Sequence, residues 1–410
     1  MNHPDRTLAR RFADTLKCEK ATDVVYSGKQ PLPPSEMYAK MFAAAEEFAP
    51  KDNPYHVYFG ELHGHTNLSD GAPDIDTYFT RLCDVAKLDF AALSDHDHGG
   101  LSKPSLWEPD DTVPIETKWD YIKEKVKEYN APGTFTTILA YERDSYPFYD
   151  NMVVYYNSHD GEMIRGAADG MITKEELAAV LARDDVFVAP HDTYSLDSGA
   201  DLAHMPVELL PSHLEIISRG DCAEYMNHPA FDSATACEGG FWQDALARGG
   251  KTAVIAASDD HSANNGLVVE SLGYPAKYPG VTGVWAEENT LPALFDALKK
   301  KRCYGFMRGD VSLPMHGNIT VDFRIGEHFM GEEFTRRAGE DLVITYSVKA
   351  DAPVKRATIV KNCRDYIMAK SAHKVIVDSH QENETDVYYL RVELTDGRFA
   401  WTSPIWVKQE

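Results

Sequence analysis

From about residue 55, short apolar runs alternate with stretches whose apolar residues recur every three or four positions. VYFGEL precedes DIDTYFTRLCDVAKL, and DFAALS precedes a helical spacing of Trp119, Ile122, Val126 and Tyr129. TFTTILAYE and NMVVYYN precede TKEELAAVLAR, which opens with Thr173 and Glu176 at capping-box spacing. DVFVAP, HLEIIS, the helix-like GGFWQDALARGG, TAVIAAS, GVTGVWAEEN and the helix-like NTLPALFDALKKK continue the series. Continuous apolar runs of this length bounded by helices read as strands buried on both faces, in βα units. Seven or eight units over about 250 residues suit an α/β fold, a closed or distorted TIM-like (β/α) barrel. An open doubly wound sheet is the alternative, and no GxGxxG or Walker A motif supports nucleotide binding on one.

The texture changes after about residue 312. NITVDFRI, LVITYSV, ATIVKN, KVIVDS, DVYYLRVEL and RFAWTSPIWV are β-rich runs separated by turn residues. Three regions follow: residues 1–54 as an N-terminal extension with a helix through Met37, Met41, Phe42 and Phe48, 55–312 as the barrel, and 313–410 as an antiparallel β-sandwich-type domain.

Composition narrows the partners. With 65 acidic against 41 basic residues the formal charge is −24. A field of that sign repels nucleic acid and anionic membrane, so neither is expected as a partner. The six cysteines are scattered without a CxxC pair, and the charged N-terminus has no apolar signal core. Both fit reduced thiols and a cytoplasmic location.

The strand ends carry the chemistry. VYFGEL runs into His63 and His65, with Asp70 close behind. DFAALS runs into Asp95, His96, Asp97 and His98. TFTTILAY ends in Glu142, DVFVAP in His191, and TAVIAAS in Asp259, Asp260 and His261. In a parallel barrel such ends converge on one face, and residues at i and i+2 point to one side. Charge of that density is costly to bury unless it is paired or binds metal, and imidazole with carboxylate suits zinc, manganese or iron.

HGHTNLSDG, the SDHD run, the strand-end Glu, PH and the late DxH together resemble the PHP superfamily, named for its polymerase and histidinol phosphatase members. The resemblance spans about residues 55 to 310; WAEENTLPALFDALKKKRCYG and AWTSPIWV resemble a subfamily with a C-terminal β-domain. It implies a distorted (β/α)7 barrel and two to three divalent ions. His63, His65, Glu142 and Asp259 would hold the first, Glu142 would bridge to a second that also uses His191, and Asp70, His96 and His261 would hold a third. One departure stands out. The subfamily's usual GHxN appears as Phe148-Tyr149-Asp150-Asn151, so Tyr149 stands where a second-site histidine is usual. Tyr149, Asp150 or His159 would have to substitute, or the second ion is weak or absent.

The family's association with phosphoester hydrolysis implies metal-bound hydroxide acting on a small anionic phosphorylated substrate. Arg143 and Arg219 are candidate phosphate clamps, since a guanidinium binds phosphate oxygens bidentately. His98 is a candidate proton donor to the leaving group. Two other classes remain: an amidohydrolase-type enzyme with Asp259 or Asp260 as a mobile acid/base, and a non-catalytic binding protein with structural metals. Substrate, metal identity and oligomeric state are left open by the residues alone.

Overall fold

The computed structural model describes residues 24–26, 53–97, 115–144, 148–149, 151–164, 172–195, 199–230, 236–262, 264, 267 and 278–410. It is a mixed α/β structure, mostly sheet. The apolar runs form strands where the pattern places them: β1 (His56–Glu61), β2 (Phe90–Leu93), β3 (Thr136–Asp144), β4 (Asn151–Tyr156), β5 (Val186–His191), β6 (His213–Ser218), β7 (Ala253–Ala256), β8 (Gly280–Ala286) and β9 (Cys303–Met307). β2, β5, β6, β7, β8 and β9 are buried at every position, the signature of strands covered on both faces.

Helices Ile115–Tyr129, Lys174–Leu181, Trp242–Ala247 and Leu291–Lys299 follow the helical spacings. The capping box forms as written, with the Glu176 amide donating to Thr173 Oγ1 at 3.2 Å and the Thr173 amide to Glu176 Oε2 at 2.8 Å. The expected helix through Met37 and Phe48 lies outside the described residues.

The pairing departs from a regular (β/α)7 TIM-like barrel. β1, β2 and β3 are parallel neighbours, and β6 pairs parallel with β7. β3–β4–β5, by contrast, is an antiparallel ladder. The physical reason is chain length. Only residues 145–150 connect β3 to β4, and a parallel return needs a crossover of a dozen or more residues. β8 also enters antiparallel to β1 and β9 antiparallel to β8. Helices are correspondingly few, and no closed (β/α)7 ring of ladders is drawn among the described residues.

After residue 312 the chain forms strands that pair antiparallel, apart from the parallel pair Glu333–Arg336 with Ile405–Gln409; Thr320–Ile325 alternates half-buried and buried residues along its length. Two features were not legible beforehand. β9 pairs with Phe399–Thr402, so one sheet of 13 strands runs from the metal-ligand-rich part into the C-terminal strands. Val24–Tyr26, from the N-terminal extension, pairs parallel with His373–Asp378 at the edge of a second, five-stranded sheet. No helix among the described residues is long and apolar enough to cross a membrane.

Candidate metal centre

The ends of β1, β2, β3, β5 and β7 meet. The chain just beyond β1 and β7 is joined by a parallel bridge from Gly64 to Asp260, and His96, beyond β2, bridges Glu142 on β3. The His65 amide donates to Asp260 O at 3.1 Å and the Asp259 amide to His63 O at 3.0 Å. These main-chain bonds hold His63 and His65 against Asp259, almost two hundred positions away in sequence.

His63 Nε2 faces His65 Nε2 at 3.1 Å. Glu142 Oε2 lies 3.2 Å from the first and 3.0 Å from the second, and Asp259 Oδ1 lies 3.4 and 3.3 Å from the same two nitrogens. All four residues are buried. On its outer edge His63 Nδ1 is 3.0 and 3.2 Å from the two carboxylate oxygens of Glu215. A carboxylate accepts, so the ring proton belongs on Nδ1 and the Nε2 lone pair points inward. Asp259 Oδ1 is buried with no hydrogen-bond donor. Inward lone pairs and two carboxylates packed in a buried cluster are costly unless a cation offsets them. Burial alone would lower the His63 pKa, yet Glu215, Asp259 and Glu142 outweigh it and hold it well above the ordinary value. That negative field is one a divalent ion would neutralise. The donor set fits such an ion.

Glu142 divides its oxygens. Oε2 faces the pair just described and His96 Nε2 at 3.5 Å, while Oε1 faces His191 Nε2 at 3.2 Å. Asp259 does likewise, with Oδ2 4.0 Å from His191 Nε2. A third grouping gathers His65, Asp70, His96 and His261. Asp70 Oδ1 is 3.6 Å from His96 Nε2 and Oδ2 3.3 Å from His261 Nε2, and the His261 Nδ1 edge turns to the Asp259 carbonyl at 3.1 Å. The structure therefore brings His63, His65, Asp70, His96, Glu142, His191, Asp259 and His261 into one cluster.

The candidate catalytic residues fare differently. Arg219 occupies the first corner of the two-residue hairpin between β6 and Asp221–Cys222, with φ of +48° before Gly220 at +79°. Two positive φ angles make a type I′ turn, which normally takes Asn-Gly. Arginine there carries a backbone cost, and it sets Nε 2.7 Å from Asp259 Oδ2 on a side chain that is 55% exposed. Arg143 follows Glu142 on a strand, so it projects to the opposite face; it is buried and donates to the Ile164 carbonyl. His98 and Asp150 lie outside the described residues. Tyr149 does not turn to the cluster, because its hydroxyl donates to Leu209 O in the core. His159 Nε2 faces Thr137 O at 2.8 Å.

Sequence reading missed the supporting carboxylates. Glu215 lies within the apolar run HLEIIS, where a lone Glu was the signal. Asp95 accepts from the Thr66 amide at 2.8 Å, Thr66 Oγ1 at 2.6 Å and Ser69 Oγ at 2.5 Å, so it shapes the loop that presents His65 and Asp70. Gly71 closes that loop, since a Cβ there would lie 2.5 Å from the His65 carbonyl oxygen.

His213, at the start of β6, is outside the cluster. Its Nε2 faces Leu298 O at 2.9 Å and its Nδ1 faces Ser212 Oγ at 2.9 Å. Burial pushes its pKa down to about 3. The folded value lies below the unfolded one, so its contribution to stability is complete above about pH 6.5 and is lost as pH falls toward 3. His213→Gln should flatten the acid limb of a stability–pH curve, removing up to about 1.4 kcal/mol per pH unit below 6.5. Urea midpoints between pH 4 and 7 measure this, and parallel curves for the two proteins would refute it.

No family model matches the chain. It is 21% identical over 383 residues to an uncharacterized protein of Chlamydia pneumoniae, covering 87% of this chain and 58% of that one. The chain thus spans less than two thirds of that relative. A solved two-domain protein of Bacteroides vulgatus, containing a predicted PHP-like metal-dependent phosphoesterase, is 13% identical with a TM-score of 0.44, covering 87% of this chain and 97% of that one. The fibronectin(III)-like modules of Clostridium thermocellum CbhA match 21% of this chain and 93% of their own, at 21% identity and a TM-score of 0.19. The decisive observation is the ligand set gathered at the strand ends. That set could hold metal ions.

Proposed function

We propose that the chain is a metal-dependent hydrolase acting on a small phosphomonoester or phosphodiester. The observation that supports this best is the buried meeting of His63, His65, Glu142 and Asp259, with one further grouping sharing His65 and another sharing Asp259. Held by these residues, divalent ions would supply Lewis acidity, lowering the pKa of bound water toward ~7 and offsetting charge on phosphoryl oxygens. The chain's own residues do the rest. Glu142 and Asp259 each present their two oxygens to different imidazoles, which sets the spacing of adjacent sites. Glu215 holds the His63 ring in one tautomer. Arg219, tied through Nε, leaves the outer edge of its guanidinium half-exposed beside the cluster, where it can take an anionic substrate.

The same geometry disfavours an amidohydrolase-type mechanism. A mobile acid/base aspartate is its requirement, yet Asp259 is held by Arg219, and Asp260 accepts from Ser262 Oγ at 2.8 Å and the Ser262 and Asn264 amides at 2.9 and 2.7 Å. Neither is free to swing.

The test is a panel of phosphate esters, amides and lactones assayed on chelator-treated protein with Mn2+ or Zn2+ restored. Turnover of esters alone, abolished by chelation and recovered with metal, is the expected result. Hydrolysis confined to amides or lactones, or indifferent to metal, would defeat the proposal. Within that panel Arg219→Ala should raise KM for the phosphoester on the order of tenfold, roughly the cost of a charge-assisted hydrogen bond, with metal content unchanged. An unaltered KM would remove Arg219 from substrate binding.

A further inference from the structure

We propose that Asp192 supplies the ligand missing from the second ion's shell, so that this ion is held by Glu142, His191, Asp259 and Asp192. The inference rests on the metal-dependent reading above and concerns this chain's departure from the family pattern.

The position where a histidine is usual does not serve. Tyr149 is spent on the Leu209 carbonyl, and His159 on Thr137. What remains near the second site is His191, with Nε2 toward Glu142 Oε1 and Asp259 Oδ2. Ligand atoms of His191, Asp192 and Asp259 lie within 4.8 Å of one another.

The backbone explains how neighbours can share that pocket. His191 ends β5, and in extended chain residue 192 would project to the opposite face. Asp192 instead has φ of +48°, a left-handed conformation that breaks the alternation. Such a conformation carries a backbone cost and concentrates at functional sites. Asp259 and Arg219, on the other side of the same pocket, share it at +50° and +48°. Tyr194 steadies the carboxylate by donating its hydroxyl to Asp192 Oδ1 at 3.2 Å. His191 Nδ1 is buried with no hydrogen-bond partner, so no second contact commits the ring elsewhere.

Glu215 is the competing ligand, because it also groups with His63 and His191. Both of its oxygens, however, lie on His63 Nδ1, behind the ring rather than on the side facing Glu142.

The consequence is a second shell of three carboxylates and one imidazole. Oxygen-rich sets of this kind suit harder ions such as Mn2+ or Mg2+, whereas an added imidazole moves preference toward Zn2+. This site should therefore prefer Mn2+ over Zn2+ more strongly than the His63–His65 site does.

The experiment is metal titration of chelator-stripped protein by equilibrium dialysis with elemental analysis, and by calorimetry, using Mn2+ and Zn2+ separately. Wild type, Asp192→Asn, Asp192→His and His63→Ala are compared. Asp192→Asn should lose one Mn2+ per chain, or bind it at least about tenfold more weakly, with the remaining ions retained. Asp192→His should keep the stoichiometry but shift that ion toward Zn2+. An Asp192→Asn titration superimposable on wild type would overturn the inference while leaving the hydrolase reading intact. Wild type that binds no ion at all would instead remove the reading itself. Should Asp192→Asn fail to fold, Asp192→His decides alone, and an unshifted Mn2+/Zn2+ preference in it counts against Asp192.

Discussion

Glu142→Gln should strip the protein of at least one metal ion and lower ester turnover by more than the roughly 10–100-fold that follows from removing a ligand's supporting hydrogen bond. The reason lies in how many partners one carboxylate serves. Its Oε2 faces His63, His65 and His96, and its Oε1 faces His191. Its pKa is held well below the usual carboxylate range; burial opposes this, and His96, His191 and His63 prevail. An amide keeps the shape but loses the charge, and its NH2 end repels whatever cation its neighbours hold. Glu215→Gln is the graded comparison. It leaves His63, His65, Glu142 and Asp259 in place and removes only the negative charge behind His63, so its loss of affinity should fall within that 10–100-fold range. Elemental analysis and kcat/KM of the two variants, beside circular dichroism to verify folding, test the ranking. Equal effects, or full metal content in Glu142→Gln, would show that the cluster is held together for some other purpose.

Glu224→Ala should be the most destabilising change outside the metal centre, by about 3–5 kcal/mol. This fully buried carboxylate follows the short strand after Arg219 and is gripped by the C-terminal strands. Tyr389 Oη donates to it at 2.5 Å, Arg391 Nη1 at 2.7 Å and Trp401 Nε1 at 2.7 Å, with His228 Nε2 at 3.2 Å. Alanine leaves a buried guanidinium with Asp365 as its remaining acidic partner. By residue type, Cys222, Glu224 and His228 resemble a further metal group. The hydrogen bonds say otherwise. The Ala230 amide donates to His228 Nδ1 at 3.0 Å, so the ring proton sits on Nε2, the nitrogen 3.2 Å from Glu224 Oε2. Glu224→Ala should therefore lower the denaturation midpoint without changing the number of ions bound. A loss of metal with an unchanged midpoint would reverse that assignment.

These expectations separate what could be read along the chain from what could not. Local patterning was sufficient for the strands and helices: VFVAPH became a fully buried strand, and Thr173 and Glu176 became a working cap. The ligand types were equally legible, because His63, Glu142, His191 and Asp259 interrupt apolar runs where an unpaired polar group is costly. Arg143 shows where this reasoning stops. Its adjacency to Glu142 looked useful, but strand alternation turns it into the core. Glu215 was passed over for the converse reason, as a strand residue whose partner lies 152 positions away.

By itself, then, the sequence determined which segments fold into buried strands, and which chemical groups stand at their ends. These follow from periodicity and from the cost of burying charge, both of which act over a few neighbouring residues. Tertiary structure alone decided the antiparallel course of β3–β4–β5, the merging of β9 with the C-terminal strands, the bond of Tyr149 to Leu209 in the core and the left-handed backbone of Asp192. Those depend on strand pairing and on single backbone angles, and such choices are made between segments far apart in the chain.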